Sequence, residues 1–420
     1  MADRDGAPQA RDESLTIERI GGQGDGVAAG PVFVPFSLPG ERVNARVAGD
    51  RGDLVEVLSA SADRVTPPCP HFGRCGGCAL QHWATPPYLA WKREQVRLAL
   101  AHRGLETDIA ETVDCPPASR RRLALHVRPG PSGARLGFKG RGSWSLVDIE
   151  TCPIADPALV RALPALKRLG AAFLGRAKSA PTLHATLTLS GIDVDVTGVE
   201  HAGLGVMADK LGRVAEAAEA GDFARVTQSG EILYQTRQPV VRFGAATVAL
   251  PAGGFLQATA KAEATMSQLA VDAVKGAKRI ADLFCGAGAF SFPLAAVAPV
   301  LAADSSAPAI TALKSAQASA PGLKPIAAEA RDLFRRPLSA QELGKIDAVV
   351  FDPPRAGAEA QAHEIAKSKA SVVVGVSCAP TTFARDARIL VDAGFRLERI
   401  TPVDQFLWSP HVELVGVFRR

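Results

Sequence analysis

The 420-residue chain contains no stretch approaching the roughly 18–20 apolar residues that span a bilayer. It also lacks a basic-then-apolar leader, because Met1 to Ser14 is polar and acidic. A cytoplasmic protein with no membrane partner is expected. No internal repeat is visible, and charge of neither sign dominates. A net charge of +5 suits an anionic partner without demanding one. Cysteine is scarce, at seven residues. In a reducing compartment these read as ligands, nucleophiles or packed thiols rather than disulfides.

What is present is globular. The composition is 47% hydrophobic and 22% charged, and the length implies two to four domains. Residues 1–13 read as a disordered tail. From residue 14 to 60, short β-type runs alternate with glycine turns, the rhythm of a small OB-like β-barrel. Residues 61–103 hold a cysteine-rich segment and a helix over about 86–103. Residues 104–250 mix strand-like and helix-like runs, an α+β middle domain that includes Cys152. From 251 to 420, helices and strands alternate regularly, which predicts an α/β domain with a mostly parallel sheet.

Within that last domain, Asp282-Leu-Phe-Cys-Gly-Ala-Gly-Ala-Phe290 places two glycines between a strand and a helix, where backbone can approach a ligand closely. About twenty residues on, Asp304 ends the next strand, positioned to accept hydrogen bonds from both ribose hydroxyls of an adenosine moiety. A dinucleotide fold would want G-x-G-x-x-G, but the third glycine position holds Ser291, which disfavours NAD. S-adenosylmethionine fits the same pattern.

Three further segments stand out: Phe351-Asp-Pro-Pro-Arg-Ala-Gly357, Val376-Ser-Cys-Ala-Pro-Thr-Thr-Phe-Ala-Arg-Asp386 and Ser409-Pro-His-Val-Glu413. With them, nearly the whole chain resembles the RNA (uracil-5-)-methyltransferase family. The resemblance implies a C-terminal class I Rossmann-like methyltransferase domain that uses S-adenosylmethionine, with an N-terminal TRAM-type barrel. It implies Gln257, Phe284, Asp304 and Asp352 as residues that hold the cofactor and shape the site, Cys378 as nucleophile and Glu413 as base.

The chemistry calls for those residue types. C5 of uracil is a poor nucleophile until a thiolate adds to C6, and a base must then take the C5 proton before the thiolate leaves. Cys378 is expected at a strand end before a helix, where unpaired N–H groups and the helix dipole would lower its pKa. Asp352 would pre-position the reactants. The chain departs from the family pattern at Thr259, Ala289 and Ala379, each at a usual Asn position. His411 could support packing or act directly.

Cys69, Cys75 and Cys78 give C-x5-C-x2-C, with Cys152 as a distant fourth ligand. Four thiolates suit zinc or an iron–sulfur cluster, and spacing alone does not choose. The run Cys-Pro-x-Phe-x-x-Cys-Gly-Gly-Cys-x-x-Gln-His resembles the family branch that carries a [4Fe-4S] cluster, which implies that cluster in a structural or RNA-positioning role. Cys115 and Cys285 read as plain thiols. Arg120, Arg121, Arg122 and Arg128, with Arg135, Lys139 and Arg141, form a basic run that could follow a phosphate backbone.

The expected enzyme is thus a monomer acting on RNA. The cluster-bearing branch points to 23S rRNA, with transfer RNA as the alternative. A catalytically silent iron–sulfur RNA-binding protein, an iron–sulfur oxidoreductase and a DNA cytosine methyltransferase are the weaker readings. For the last of these, a Pro-Cys pair would be needed where the chain has Asp-Pro-Pro.

Overall fold

A computed structural model describes residues 10–131, 133–175, 179–199 and 204–420. Strands β1 (Arg11–Ile20), β2 (Gly26–Ala28), β3 (Val32–Val34), β4 (Arg42–Ala48) and β5 (Arg51–Ser59) close into a barrel in the order β1-β2-β3-β5-β4. Its interior is small and aliphatic: Ile17, Val34, Val43 and Ala45 alternate with outward polar residues. The expected tail is shorter than its sequence suggests. Residues 1–9 lie outside the described residues, but Arg11, Asp12 and Glu13 belong to β1, where they pair with Val47, Arg46 and Ala45 of β4. The ladder to β4 extends past the last apolar residue of β1, and hydropathy does not register that.

Helix α1 (Thr85–Ala101) begins with Pro86 and Pro87 in its first turn, where a missing N–H costs nothing. It does more than link. Val96, Ala99 and Leu100 enter the core of the C-terminal domain, while Tyr88 and Trp91 join Trp83, Leu80 and the barrel's Ile20 in a second cluster. Two short strands follow, β6 (Asp108–Ile109) and β7 (Val113–Asp114).

The middle domain is a seven-stranded sheet made of β8 (Arg122–Gly130), β9 (Gly133–Lys139), β10 (Leu146–Asp148), β11 (Thr182–Thr188), β12 (Gly191–Thr197), β13 (Phe223–Gln228) and β14 (Glu231–Gln235), in the order β10-β9-β8-β11-β12-β13-β14. Helices α2 (Pro157–Arg161), α3 (Leu163–Ala171) and α4 (Leu204–Ala220) are also part of it, α3 and α4 packing against the sheet. Leu125, Val127, Leu166, Leu169 and Val194 form its core. The hairpin β15 (Val240–Phe243) and β16 (Ala246–Ala249) comes next.

The C-terminal domain contains α5 (Ala260–Ala273), β17 (Ile280–Leu283), α6 (Ser291–Ala295), β18 (Val300–Asp304), α7 (Ala307–Ala318), β19 (Ile326–Ala330), β20 (Ala348–Phe351), α8 (Glu359–Lys367), β21 (Val372–Ser377), α9 (Pro380–Asp392), β22 (Arg396–Asp404) and β23 (Glu413–Arg419). Its nine-stranded sheet runs β19-β18-β17-β20-β21-β23-β22-β6, with β7 also on β22. Strands β17 and β20 are buried throughout, as expected for parallel strands covered on both faces. The chain moves outward one way from β17 to β18 and the other way to β20, so a crevice opens between the C-terminal ends of β17 and β20.

Two boundaries differ from the sequence reading. Strands β6 and β7, placed at the start of the middle domain by sequence, pair with β22 of the C-terminal sheet. The β15–β16 hairpin likewise buries Val241, Phe243 and Val248 in the C-terminal core, ahead of the expected start at residue 251. Elements of two to four residues have too few positions for a periodic signal.

Candidate active site

All six residues singled out from the sequence line one cavity of about 520 Å³ at this crevice: Gln257, Phe284, Asp304, Asp352, Cys378 and Glu413. Strand register explains how residues distant in sequence meet. Ser377 pairs with Leu414 across antiparallel β21 and β23, so Cys378, one residue past β21, falls beside Glu413 at the start of β23. Glycines make the approach close. Gly375 and Gly416 pair directly, and a Cβ on Gly416 would meet the Phe383 ring at 2.4 Å. The Phe383 ring of α9 therefore occupies space that a side chain at either glycine would need, which fixes the helix that follows Cys378.

Asp352 ends β20, and the loop after it is tied to α9. Asp386 Oδ2 accepts from the Ala358 N–H at 2.6 Å, and Arg385 Nη2 donates to the Ala356 carbonyl at 3.0 Å. The Arg-Asp that closes the second motif is thus a clamp on the Asp-Pro-Pro-Arg loop.

A chain of amides connects the carboxylates. Gln257 Nε2 donates to Asp352 Oδ2 at 2.9 Å, and Gln405 Nε2 donates to both Gln257 Oε1, at 2.8 Å, and Glu413 Oε2. Gln405 Oε1 in turn accepts from the Ala258 N–H at 3.0 Å, which fixes its amide orientation. Sequence reading missed Gln405 altogether. Burial raises the pKa of both Glu413 and Asp352; for Glu413 the neighbouring Asp352 charge adds to it, while Gln405 and Arg355 oppose it. Behind them Asp282, fully buried and bonded to Ser291, is pushed up to about 7, by burial first and then by Asp352 and Asp304.

Cys378 sits where the sequence placed it, between β21 and α9, yet its thiol pKa is raised rather than lowered. Burial is the largest cause and Glu413 adds to it; Arg355, by charge and hydrogen bond, opposes them. The desolvation cost of a thiolate here outweighs the stabilisation that Arg355 returns.

The glycine turn forms the other half of the cavity. Phe284 adopts φ +62°, and its ring lies 5.5 Å from that of Phe334, a half-exposed cavity residue that the sequence did not flag. Asp304 accepts from the Gly286 and Ser306 N–H groups at 2.9 and 2.7 Å, leaving lone pairs of a four-site acceptor free. Of the three departures from the family pattern, Thr259 has a structural role as the N-cap of α5, accepting from Ala262 at 3.1 Å. Ala379 caps α9 with no side-chain bond.

A second cavity, of about 310 Å³, is lined by Cys69, Cys75, Cys78 and Cys152. Burial raises the thiols of Cys75, Cys78 and Cys152, Cys78 to about 12, and the neighbouring thiols add to it. Gln81 accepts from the Cys69 N–H at 3.2 Å, which gives the Gln of the Gln-His pair a loop-holding role. Half-buried Arg120 feels both Cys152 and Cys78. Among the described residues no group of three or more His, Cys, Asp or Glu side chains is arranged to hold a metal ion. Arg355, Phe406 and His411 also line this cavity, and the first two line the larger one as well.

The basic run divides. Arg121 is taken by Glu263 at 2.6 Å and by the Gln257 carbonyl, so it is a structural tie and not a free phosphate contact. Arg120 faces the cysteine cavity. Arg128, Arg135 and Lys139 remain in the middle sheet.

Comparison with known proteins agrees with this geometry. Residues 246–420 match a family described as tRNA (Uracil-5-)-methyltransferase. A Caulobacter vibrioides protein named as an uncharacterized RNA methyltransferase is 62% identical, over 97% of this chain and all of its own. A Chromohalobacter salexigens protein named 23S rRNA (uracil(1939)-C(5))-methyltransferase RlmD is 32% identical, over 97% of this chain and 89% of its own. The crystal structure of Pyrococcus abyssi tRNA (uracil-54, C5)-methyltransferase with S-adenosyl-L-homocysteine superposes with a TM-score of 0.75 at 22% identity, over 97% of this chain and all of that one. That superposition establishes a mixed α/β methyltransferase fold. No helix among the described residues is long and apolar enough to cross a membrane. The glycine turn, the paired Cys and Glu and the full-length relatives converge: the chain belongs to the RNA (uracil-5-)-methyltransferase family.

Proposed function

We propose that the protein methylates C5 of a uridine in RNA, with 23S rRNA as the substrate. The observation that carries this reading is the single cavity that joins a glycine turn and acidic strand end to a cysteine and a buried glutamate. The full-length relative named for 23S rRNA supports the choice of RNA.

S-adenosylmethionine, when bound, supplies the electrophilic methyl group. Asp304 would accept from its ribose, with Phe284 and Phe334 as the apolar wall for its base. Cys378 Sγ, as thiolate, forms a bond to C6 of the uracil; the C5–C6 π pair moves toward C5 and O4, and C5 would take the methyl group as its bond to the sulfonium sulfur breaks, with S-adenosylhomocysteine the leaving group. Glu413 then removes the C5 proton, the C5–C6 double bond re-forms, and the C6–S bond breaks to release the thiolate. Arg355 favours the thiolate, and burial makes Glu413 a stronger base than an exposed carboxylate. Gln405 and Gln257 hold Glu413 and Asp352 in register.

Cys69, Cys75, Cys78 and Cys152 would hold a [4Fe-4S] cluster, whose chemistry here is structural. Four thiols lining one cavity supply the donor set that such a cluster takes. Arg120 beside them offsets the charge of thiolates. The barrel order β1-β2-β3-β5-β4 supports an OB-like module for RNA.

Labelled methyl transfer to unmodified 23S rRNA and to bulk tRNA tests the reading. Label at uridine C5 of 23S rRNA is expected, and Cys378→Ala should abolish it, by on the order of 10⁴-fold or more. Transfer to tRNA alone would replace the substrate, and transfer that survives Cys378→Ala would remove the covalent step.

A further inference from the structure

One face of the seven-stranded sheet lies under α3 and α4; the other is uncovered over β8, β9 and β11. Alternation sends Leu123, Leu125 and Val127 into the core and Arg122, His126 and Arg128 to the open side. Across the ladder, Arg135 lies opposite Arg128 and Gly137 opposite His126, and Lys139 follows two residues on. From β11, His184 and Thr182 complete this face beside Ala124 and His126.

The β12–β13 part of the same face is different. There Asp193 is paired with Arg225, which also donates to the Leu250 carbonyl, and the Gly253 backbone lies over Asp195. Carboxylates are therefore satisfied or covered, while the open part has cations. Among the described residues Arg128, Arg135 and Lys139 form no ion pair. Burial and the charges of Lys139, Arg128 and His184 together hold His126 below its ordinary pKa, with no acid opposing them.

The end of the face nearest the cavity carries two exposed aromatic rings, each with a cation over it, while Arg128 and Arg135 lie at the far end. At the β9–β10 turn, Lys139 Nζ stands 3.8 Å from the ring centroid of Trp144, which is 82% exposed. Beside it on β8 the Arg122 guanidinium stands 5.5 Å from Phe255, a residue that lines the catalytic cavity. An uncompensated cationic face that leads to the cavity mouth suits a polyanion, and an exposed indole suits a nucleobase.

We infer that this face binds a single-stranded segment of the substrate RNA flanking the target uridine, with phosphates along Arg128, Arg135 and Lys139 and a base stacked on Trp144. The inference rests on the proposed function and deepens it, because it places the RNA outside the catalytic cavity. Arg135 to Lys139 spans about 13 Å along the strand, room for more than one phosphate.

Fluorescence anisotropy with a labelled uridine-rich oligoribonucleotide, single-stranded or annealed to its complement, tests this across a salt series. The double variant Arg128→Gln/Arg135→Gln should lower the slope of log affinity against log salt by about 1.4, at roughly 0.7 per phosphate contact in a single strand. Trp144→Ala should weaken binding roughly five- to hundredfold, and Trp144→Phe should restore most of it. Wild-type protein photocrosslinked to RNA carrying 4-thiouridine should yield a labelled peptide containing Trp144. Unchanged slope and affinity in the variants, tighter binding of the duplex, or crosslinks confined to other peptides would overturn the assignment while leaving the methyltransferase reading intact. Wild-type protein that binds no RNA would overturn both.

Discussion

Adjacent residues at the end of β22 feed two buried polar clusters of opposite character. Asp404 accepts from Lys92 Nζ at 2.8 Å and from the Tyr88 hydroxyl at 2.6 Å, and Tyr88 accepts from the Trp408 N–H. Lys92 also donates to the His411 carbonyl. Every charge there has a partner. Gln405, one residue on, reaches Glu413 and through Gln257 connects to Asp352, two carboxylates whose pKa values are raised by desolvation, Arg355 opposing it at Glu413 without outweighing it. The first cluster ties α1 to the turn that leads into Glu413; the second leaves carboxylates poised to take a proton. One chain segment thus separates holding the site from operating it, and perturbed titration marks the operating side.

The widest split between the clusters should come from Glu413→Gln. Methyl transfer is expected to fall on the order of 10⁴-fold, about 5 kcal/mol of transition-state stabilisation. A covalent RNA adduct should accumulate on denaturing gels, because the C5 proton stays in place. Turnover within tenfold of wild type would move proton abstraction to another group, Asp352 being the nearest.

On the other side, Lys92→Met should cost stability before chemistry. It strands Asp404 in the interior, a loss of about 3–5 kcal/mol measurable by urea unfolding. Lys92→Met with Asp404→Leu should regain much of that, since an apolar pair needs no compensation. A loss under about 1 kcal/mol for the single variant would mean that Asp404 takes up a proton, and the contrast between the clusters would narrow.

How much of this was legible in the sequence follows from the range of each interaction. Cys378, Asp352, Asp304 and the glycine turn sit at strand ends within short motifs, where local pattern and resemblance both point to them. Asp404 lies more than three hundred positions along the chain from Tyr88 and Lys92, so no window could join them. Gln405 lies outside every motif and acts only because Val403 pairs with Glu413. Strand β19 and helix α8 carry weak local signals: IAAEA is poor in β-branched residues and EAQAHEIAK is largely polar. The thiol of Cys378 was read with the wrong sign because a helix N-terminus is visible in sequence and burial is not.

The last effect expected is the dependence of stability on pH, and it belongs to the second cluster. Glu413 and Asp352 have folded pKa values above those of an unfolded chain, so between the two values the native state binds more protons than the unfolded one. Their contribution is then fully present below the unfolded carboxylate range and is lost as pH rises toward the folded values, by up to about 1.4 kcal/mol per pH unit for each group. Urea midpoints at pH 5, 6, 7 and 8 should therefore fall more steeply for wild type than for Glu413→Gln, the difference widening with pH. Parallel profiles would mean that the pair ionises in the folded protein as readily as in water, and the poised proton acceptor would have to be sought elsewhere in the cavity.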